Sequence, residues 1–254
     1  MSAVIVDADV PATTRGLLAG YGDGSGPFRL RSTERGLVLD APDALAAAPL
    51  HVDLLAGRLG WRTARVGHER LVRACAVARP RPGGGSWSVL DGTGGLGEDA
   101  WLLAVAGARV TVVERHPVLA ALLADALERA RDAAPEAVAR TTLCVGDTPT
   151  ELAARAPFDV VYLDPMYPPR RKAALGEGRL RVLAALFAAE GLPVEADGGA
   201  GVLLEAALAS GAPRVVLKRP RRAPTPGPAP SHTVDGRSTR FDVWVRSGRV
   251  WSAD

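Results

Sequence analysis

The chain has 254 residues, enough for one large domain or for a domain with a small appendage. Its apolar fraction of 47% is that of an ordinary globular protein, and no apolar run reaches the roughly 18 residues needed to span a bilayer. A formal charge of +3 and a pI near 9.2 permit a nucleic-acid partner without demanding one.

The opening stretch "MSAVIVDADVPATTRG" lacks the basic start and long apolar core of a signal peptide, so a cytoplasmic location is expected. "FRLRSTERGLVLDAP" holds two short alternating runs about a polar turn. This predicts a small β-rich N-terminal subdomain over residues 1–60, with the main domain over 61–254. "HVDLLAGRLGWRTARVGHERLVRACAVA" reads as a basic linker running into a helix, and "RPRPGGGS" at Arg79–Ser86 is a break. From there strands and helices alternate. "SWSVLDG" is a strand and "GEDAWLLAVAG" a helix ending at Gly107; "ARVTVVER" is a strand, and Pro117 opens a helix through Arg131, where proline fits the first turn. "TTLCVGD" is a strand followed by a short helix at Pro149–Arg155, and "FDVVYLDP" is a strand. Helices cover Gly178–Ala189 and Gly199–Ser210 before the strand "PRVVLKRP". "RRAPTPGPAPS" is a proline-rich loop, and "HTVDGRSTRFDVWVR" reads as two strands around a turn at Asp235–Ser238. Strands apolar on both faces with short links predict an open, doubly wound α/β sheet.

The two cysteines, Cys75 and Cys144, lie in apolar runs without partners at metal-ligand spacing; they read as reduced core thiols, and no metal site is expected. Lys172 and Lys218 are the only lysines, and the positive charge gathers in clusters at Arg58–Arg73, Arg170–Lys172 and Arg214–Arg222.

"VLDGTGGLGEDAW" carries glycines at Gly92, Gly94 and Gly97 in the G-x-G-x-x-G spacing of a dinucleotide fingerprint. The same strand–turn–helix also serves proteins that bind S-adenosylmethionine, so the turn alone leaves the cofactor open. In an open α/β sheet ligands sit outside the carboxyl ends of the strands. Those ends carry Asp91, Glu114 and Asp147, and the fourth closes on "DPMY" at Asp164–Tyr167. A carboxylate ending the second strand suits ribose hydroxyls in either cofactor class. A nicotinamide dehydrogenase leaves DPMY unexplained. The motif resembles the [N/D]-P-P-[Y/F/W] turn of methyltransferases that act on exocyclic amines. Such an amine is a poor nucleophile because its lone pair is drawn into the ring. A carboxylate and a main-chain carbonyl accepting its N–H groups orient that lone pair, and an aromatic ring gives the base a stacking face. Asp164, Pro165 and Tyr167 are therefore the candidate catalytic residues.

Taken together, "LDGTGGLGEDAWLLAVAGARVTVVERHPVLAALL", "VVYLDPMYPPRRKAAL", and "VVLKRP" followed by "RFDVWV" resemble the bacterial small-subunit ribosomal RNA guanine-N2 methyltransferases, the RsmJ family, over roughly Leu50–Val245. The resemblance implies a Rossmann-like class I S-adenosylmethionine-dependent methyltransferase sheet, that cofactor, and N2-methylguanosine in small-subunit rRNA as the product. It places cofactor contacts at Asp91, Gly92, Gly94, Gly97, Glu98, Asp99, Glu114, Arg115, Asp147, Thr148 and Asp164. The chain departs from the family pattern at Glu98, where arginine is usual, at Asp147, where serine is, and at Tyr167, where phenylalanine is. Arg170, Arg171, Lys172, Lys218 and Arg219 flank the motif strands and are the expected RNA contacts. Other exocyclic-amine methyltransferases, acting on DNA adenine or another rRNA guanine, and a non-catalytic RNA-binding protein on the same scaffold remain alternatives. No membrane partner is expected, and the sequence leaves the oligomeric state open.

Overall fold

The computed structural model describes residues 3–21, 26–155, 157–166, 178–192 and 199–246. Among these residues two sheets form. The first joins β1 (Val4–Val6), β2 (Phe28–Thr33), β3 (Gly36–Asp40) and β4 (Leu50–His51) in sequence order, β1 parallel to β2 and the rest antiparallel. The hairpin of β2 and β3 is the one the alternating pattern predicts; the three-residue β1 is too short to have carried a periodic signal.

The second sheet has the order β10-β11-β9-β8-β5-β6-β7. Its strands are β5 (Ser88–Asp91), β6 (Arg109–Glu114), β7 (Thr141–Val145), β8 (Val160–Leu163), β9 (Arg214–Pro220), β10 (His232–Asp235) and β11 (Thr239–Val245). β5, β6, β7, β8 and β9 run parallel, and β11 is antiparallel to both β9 and β10. This is the expected doubly wound α/β sheet. The chain order reverses between β5 and β8, so the switch point where ligands bind lies at their carboxyl ends.

The helices are α1 (Ala12–Arg15), α2 (Gly57–Thr63), α3 (Arg70–Cys75), α4 (Glu98–Val105), α5 (Pro117–Ala130), α6 (Pro135–Ala139), α7 (Thr148–Arg155), α8 (Gly178–Ala189) and α9 (Ala200–Ala209). The segment read as a linker plus one helix thus forms both α2 and α3. Alternate residues of the central strands feed two cores, as a pleated strand buried on both faces must. Val89, Val160 and Tyr162 join α4, α5 and the N-terminal sheet, whereas Leu90, Val161 and Leu163 join α7 and α9. β7 differs from expectation. It is an edge strand, and its residues are half-buried or exposed; Cys144 on it is half-buried and meets Arg155, whereas Cys75 is a core thiol. The N-terminal sheet is tied to α5: the Leu37 N–H donates to Asp125 at 3.0 Å and Arg129 donates to the Val52 carbonyl at 2.5 Å. No helix among the described residues is long and apolar enough to cross a membrane.

Candidate active site

The carboxyl ends of β5, β6, β7 and β8 open on a cavity of about 380 Å³. The glycine turn after β5 is shaped by close approach. Gly97 precedes α4 with φ of 76°, and a Cβ there would come within 2.4 Å of Leu123. On Gly94 a Cβ would come within 2.7 Å of Val112. Both positions therefore need glycine for packing. Neither lines the cavity; Gly92 and Gly95 do. Gly95 escaped the sequence reading because it falls between the fingerprint positions, yet its N–H donates to Glu114 Oε2 at 2.5 Å.

Glu114 ends β6. Its other oxygen, Oε1, accepts the His116 N–H at 2.7 Å, so two main-chain donors fix the carboxylate against the cavity wall. Burial raises its pKa, and those two N–H groups oppose the rise. Arg115, Asp147 and Thr148 also line the cavity, Thr148 donating to the Gly92 carbonyl. Asp91 lies behind the turn, fully enclosed, and accepts the Thr93 N–H at 3.0 Å. Burial pushes Asp91 up to about 7, and the Thr93 bond only partly opposes this.

Asp164 and Pro165 line the cavity at the end of β8. The Asp164 N–H donates to Thr93 Oγ1 at 2.6 Å, lacing the β8 end to the glycine turn. Its carboxylate Oδ2 accepts from Lys218 Nζ at 2.6 Å. The same ammonium donates to Asp99 Oδ2 at 2.7 Å, which also accepts the Tyr162 hydroxyl at 2.6 Å. Arg62 approaches Asp99 Oδ1 at 3.5 Å. Two carboxylates thus share one half-buried lysine. Burial alone would lower the Lys218 pKa, but Asp99 and Asp164 hold it above the ordinary range. Asp99 is depressed, burial being overridden by Lys218. Asp164 is raised, burial prevailing over Lys218, with the Asp99 charge adding to the rise.

Three expectations need correction. Lys218 is no phosphate contact: it lies inside β9, and its ammonium is spent on Asp99 and Asp164. Arg219 is buried, its guanidinium 3.3 Å from the fully buried Asp242, so it offers nothing to RNA. Glu98 is not among the residues that line the cavity and pairs with Arg179 at 2.6 Å. Asp99 acts behind the wall through Lys218. Tyr167, Arg170, Arg171 and Lys172 lie outside the described residues. Tyr162 and Thr93 are site residues that the sequence does not single out, and Lys218, expected at the RNA, belongs instead to the pocket; the signal for that role is the polar Lys218 breaking the apolar run "VVLKRP".

The comparisons with known proteins agree with this geometry. A family model of SAM-dependent methyltransferases, SAM_MT, matches residues 17–246. The ribosomal RNA small subunit methyltransferase J of Thioalkalivibrio sulfidiphilus (strain HL-EbGR7) is 48% identical over 218 residues, covering 82% of this chain and 80% of that one. The chain belongs to the ribosomal RNA small subunit methyltransferase J family. Another protein of that name, from Alkalilimnicola ehrlichii, is 45% identical over 222 residues, covering 85% of this chain and 81% of its own. The crystal structure of a SAM-dependent methyltransferase from Neisseria gonorrhoeae is similar with a TM-score of 0.70 at 27% identity, covering 97% of both chains.

As a member of the methyltransferase J family the protein is an S-adenosylmethionine-dependent methyltransferase. The cavity fits that cofactor. It has the size of a small-molecule site. The pinned Glu114 carboxylate suits a ribose diol, Asp147 stands at the next strand end, and Leu119 and Met166 supply apolar wall.

Proposed function

We propose that the protein methylates the exocyclic N2 amine of a guanine in small-subunit ribosomal RNA. The observation that carries the reading is the Asp164–Pro165 turn, whose carboxylate is held at the cavity wall by Lys218. The relatives named for small-subunit rRNA methylation supply the substrate class. Gly92, Glu114, Arg115, Asp147 and Thr148 are the residues that would hold S-adenosylmethionine, with Asp91, Gly94 and Gly97 shaping the turn behind them. When bound, the cofactor supplies an electrophilic methyl group.

The rest falls to this chain. Lys218 occupies Oδ2 of Asp164, which directs Oδ1 to accept an N–H of the target amine. A main-chain carbonyl of the Asp164–Pro165 turn accepts the other. These bonds turn the nitrogen lone pair toward the methyl group and stabilise the charge that develops on nitrogen. The raised pKa of Asp164 makes it a stronger acceptor than an ordinary surface carboxylate. Tyr167 follows in sequence and is assigned the base-stacking face.

The test is to map methylated nucleotides in rRNA from cells with and without the protein, by mass spectrometry of nuclease fragments. Loss of one N2-methylguanosine in the small-subunit rRNA is expected; loss of a modification elsewhere would replace the substrate assignment. In a labelled-methyl assay, Asp164→Ala should lower turnover by about 10²-fold while S-adenosylhomocysteine still binds. Near-normal turnover would reduce Asp164 to a strand-end cap.

A further inference from the structure

Residues 57–73 combine features that the pocket does not use. They hold five arginines and a single acidic residue, Glu69. Glu69 is already taken, since Arg62 donates to both of its oxygens at 3.0 Å. On α2, Leu59 is buried in the core. Arg58, Trp61 and, just past the helix, Arg65 are exposed; Arg58 and Trp61 lie three residues apart on one face of α2, and Arg65 comes back over the Trp61 ring. Trp61 is 60% exposed, a large apolar surface left to water. The Arg65 guanidinium lies 4.9 Å from the centre of its ring, within the range of a cation–π contact.

The stripe of Arg58, Trp61 and Arg65 is anchored to the catalytic end of the sheet. Arg62, next to Trp61 in sequence, reaches Asp99 in the first turn of α4, directly after the glycine turn. Asp99 shares Lys218 with Asp164. Through Arg62 the helix that carries the stripe is tied to the side chains around the pocket.

We propose that Arg58, Trp61 and Arg65 form a second RNA-binding surface, on which an unpaired base of the substrate stacks against Trp61 while the adjoining phosphates meet the two arginines. The proposal rests on the reading of the substrate as rRNA. A π-face beside exposed cations matches a nucleotide in both of its parts: the base covers the indole and the phosphate neutralises the guanidinium groups. An acidic protein segment would meet the arginines but leave the indole in water. Base stacking on an aromatic side chain tolerates any sequence, so this surface grips and orients the strand while the pocket selects the amine.

The experiment measures binding of in vitro transcribed small-subunit rRNA to the full chain by filter binding across a salt series. The variants are Trp61→Ala, Trp61→Phe and the double variant Arg58→Ala/Arg65→Ala. Calorimetry with S-adenosylhomocysteine checks that the fold and pocket persist. Trp61→Ala should weaken RNA binding about tenfold, and Trp61→Phe should recover most of it because the ring is kept. The double variant should flatten the salt dependence by roughly 1.4 in log–log slope, about 0.7 for each lost phosphate contact. In methyl-transfer assays KM for rRNA should rise with kcat unchanged. Unaltered RNA affinity and salt slope in these variants, beside a wild type that binds, would overturn the stripe and leave the rRNA reading standing. The same holds if the variants keep RNA affinity but lose binding to isolated small-subunit ribosomal proteins, which would make the stripe a protein contact. A wild type that binds no rRNA would remove the substrate reading and the stripe with it.

Discussion

Lys218→Met removes the cation that Asp99 and Asp164 share and leaves a side chain of similar length in β9. Asp99 keeps the Tyr162 hydroxyl and Arg62. Asp164 loses the ammonium at 2.6 Å and retains the burial that raises its pKa. A hydrogen bond to a charged group contributes about 1.5–3 kcal/mol. Since 34% of the Asp164 side chain is open to solvent, the lower end, about 1.5 kcal/mol, applies. That corresponds to roughly a tenfold effect, or about one pH unit. The folded-state pKa of Asp164 should therefore move further up in the variant, so that the carboxyl takes up its proton at a higher pH than in the wild type and is then a weaker acceptor for the amine. The expected result is an acid limb of the kcat–pH profile displaced by about one unit to higher pH, so that kcat falls by up to about tenfold along that limb and recovers as pH rises. Lys218→Arg, which keeps a charge, should hold the limb closer to that of the wild type. The assay is methyl transfer to rRNA at saturating substrate between pH 6 and pH 9. An unmoved acid limb with reduced kcat would refute the positioning role, and a parallel loss of S-adenosylhomocysteine affinity would mean that the variant had collapsed the pocket.

Glu114→Ala should weaken S-adenosylhomocysteine binding by roughly 1.5–3 kcal/mol, read by calorimetry, because a buried charged acceptor fixed by two main-chain N–H groups is lost; unchanged affinity would take Glu114 out of the cofactor site. Asp91, raised from 3.8 to about 7 by burial, contributes stability that is complete below pH 3.8 and is lost as pH rises through about 7. Asp91→Asn should therefore gain on the wild type between pH 4 and pH 8 in denaturant titrations, by at most about 4 kcal/mol; a constant difference across that window would contradict the burial argument. Asp242→Ala strips the carboxylate from beside the buried Arg219 and should cost about 3–5 kcal/mol of stability in the same titrations. A loss of RNA affinity without that destabilisation would restore Arg219 as a contact residue.

The repeating strands and helices were legible because the central strands are apolar on both faces, and that pattern survives in any buried parallel sheet. The carboxylates at the strand ends were legible for a related reason: Glu114 and Asp164 interrupt apolar runs at the one edge where such a sheet binds ligands. Lys218 interrupts a run in the same way, yet its neighbours mislead. With Arg219, Arg221 and Arg222 following it, the lysine looks like the start of a basic surface. Strand alternation instead sends Lys218 to Asp164 and Arg219 to Asp242 on the opposite face. The partner carboxylates are 54 and 119 residues away from Lys218, a separation that no local pattern encodes. The edge position of β7 was hidden for the same reason, since pairing order is a property of the assembled sheet.

The ties between the N-terminal sheet and α5 bear on the order of events during synthesis. Leu37 finds Asp125 88 residues later, and Val52 finds Arg129 77 residues later. At translation rates of roughly 5–20 residues per second, the hairpin of β2 and β3 leaves the ribosome about 4–18 seconds before the helix that covers it. Throughout that interval Leu30, Leu37 and Leu39, all completely buried in the finished protein, have no α5 to pack against. The newborn N-terminal segment thus exposes the kind of apolar strand that chaperones shield, and a chain stalled before Pro117 should be cleared by proteases instead of persisting as a folded fragment.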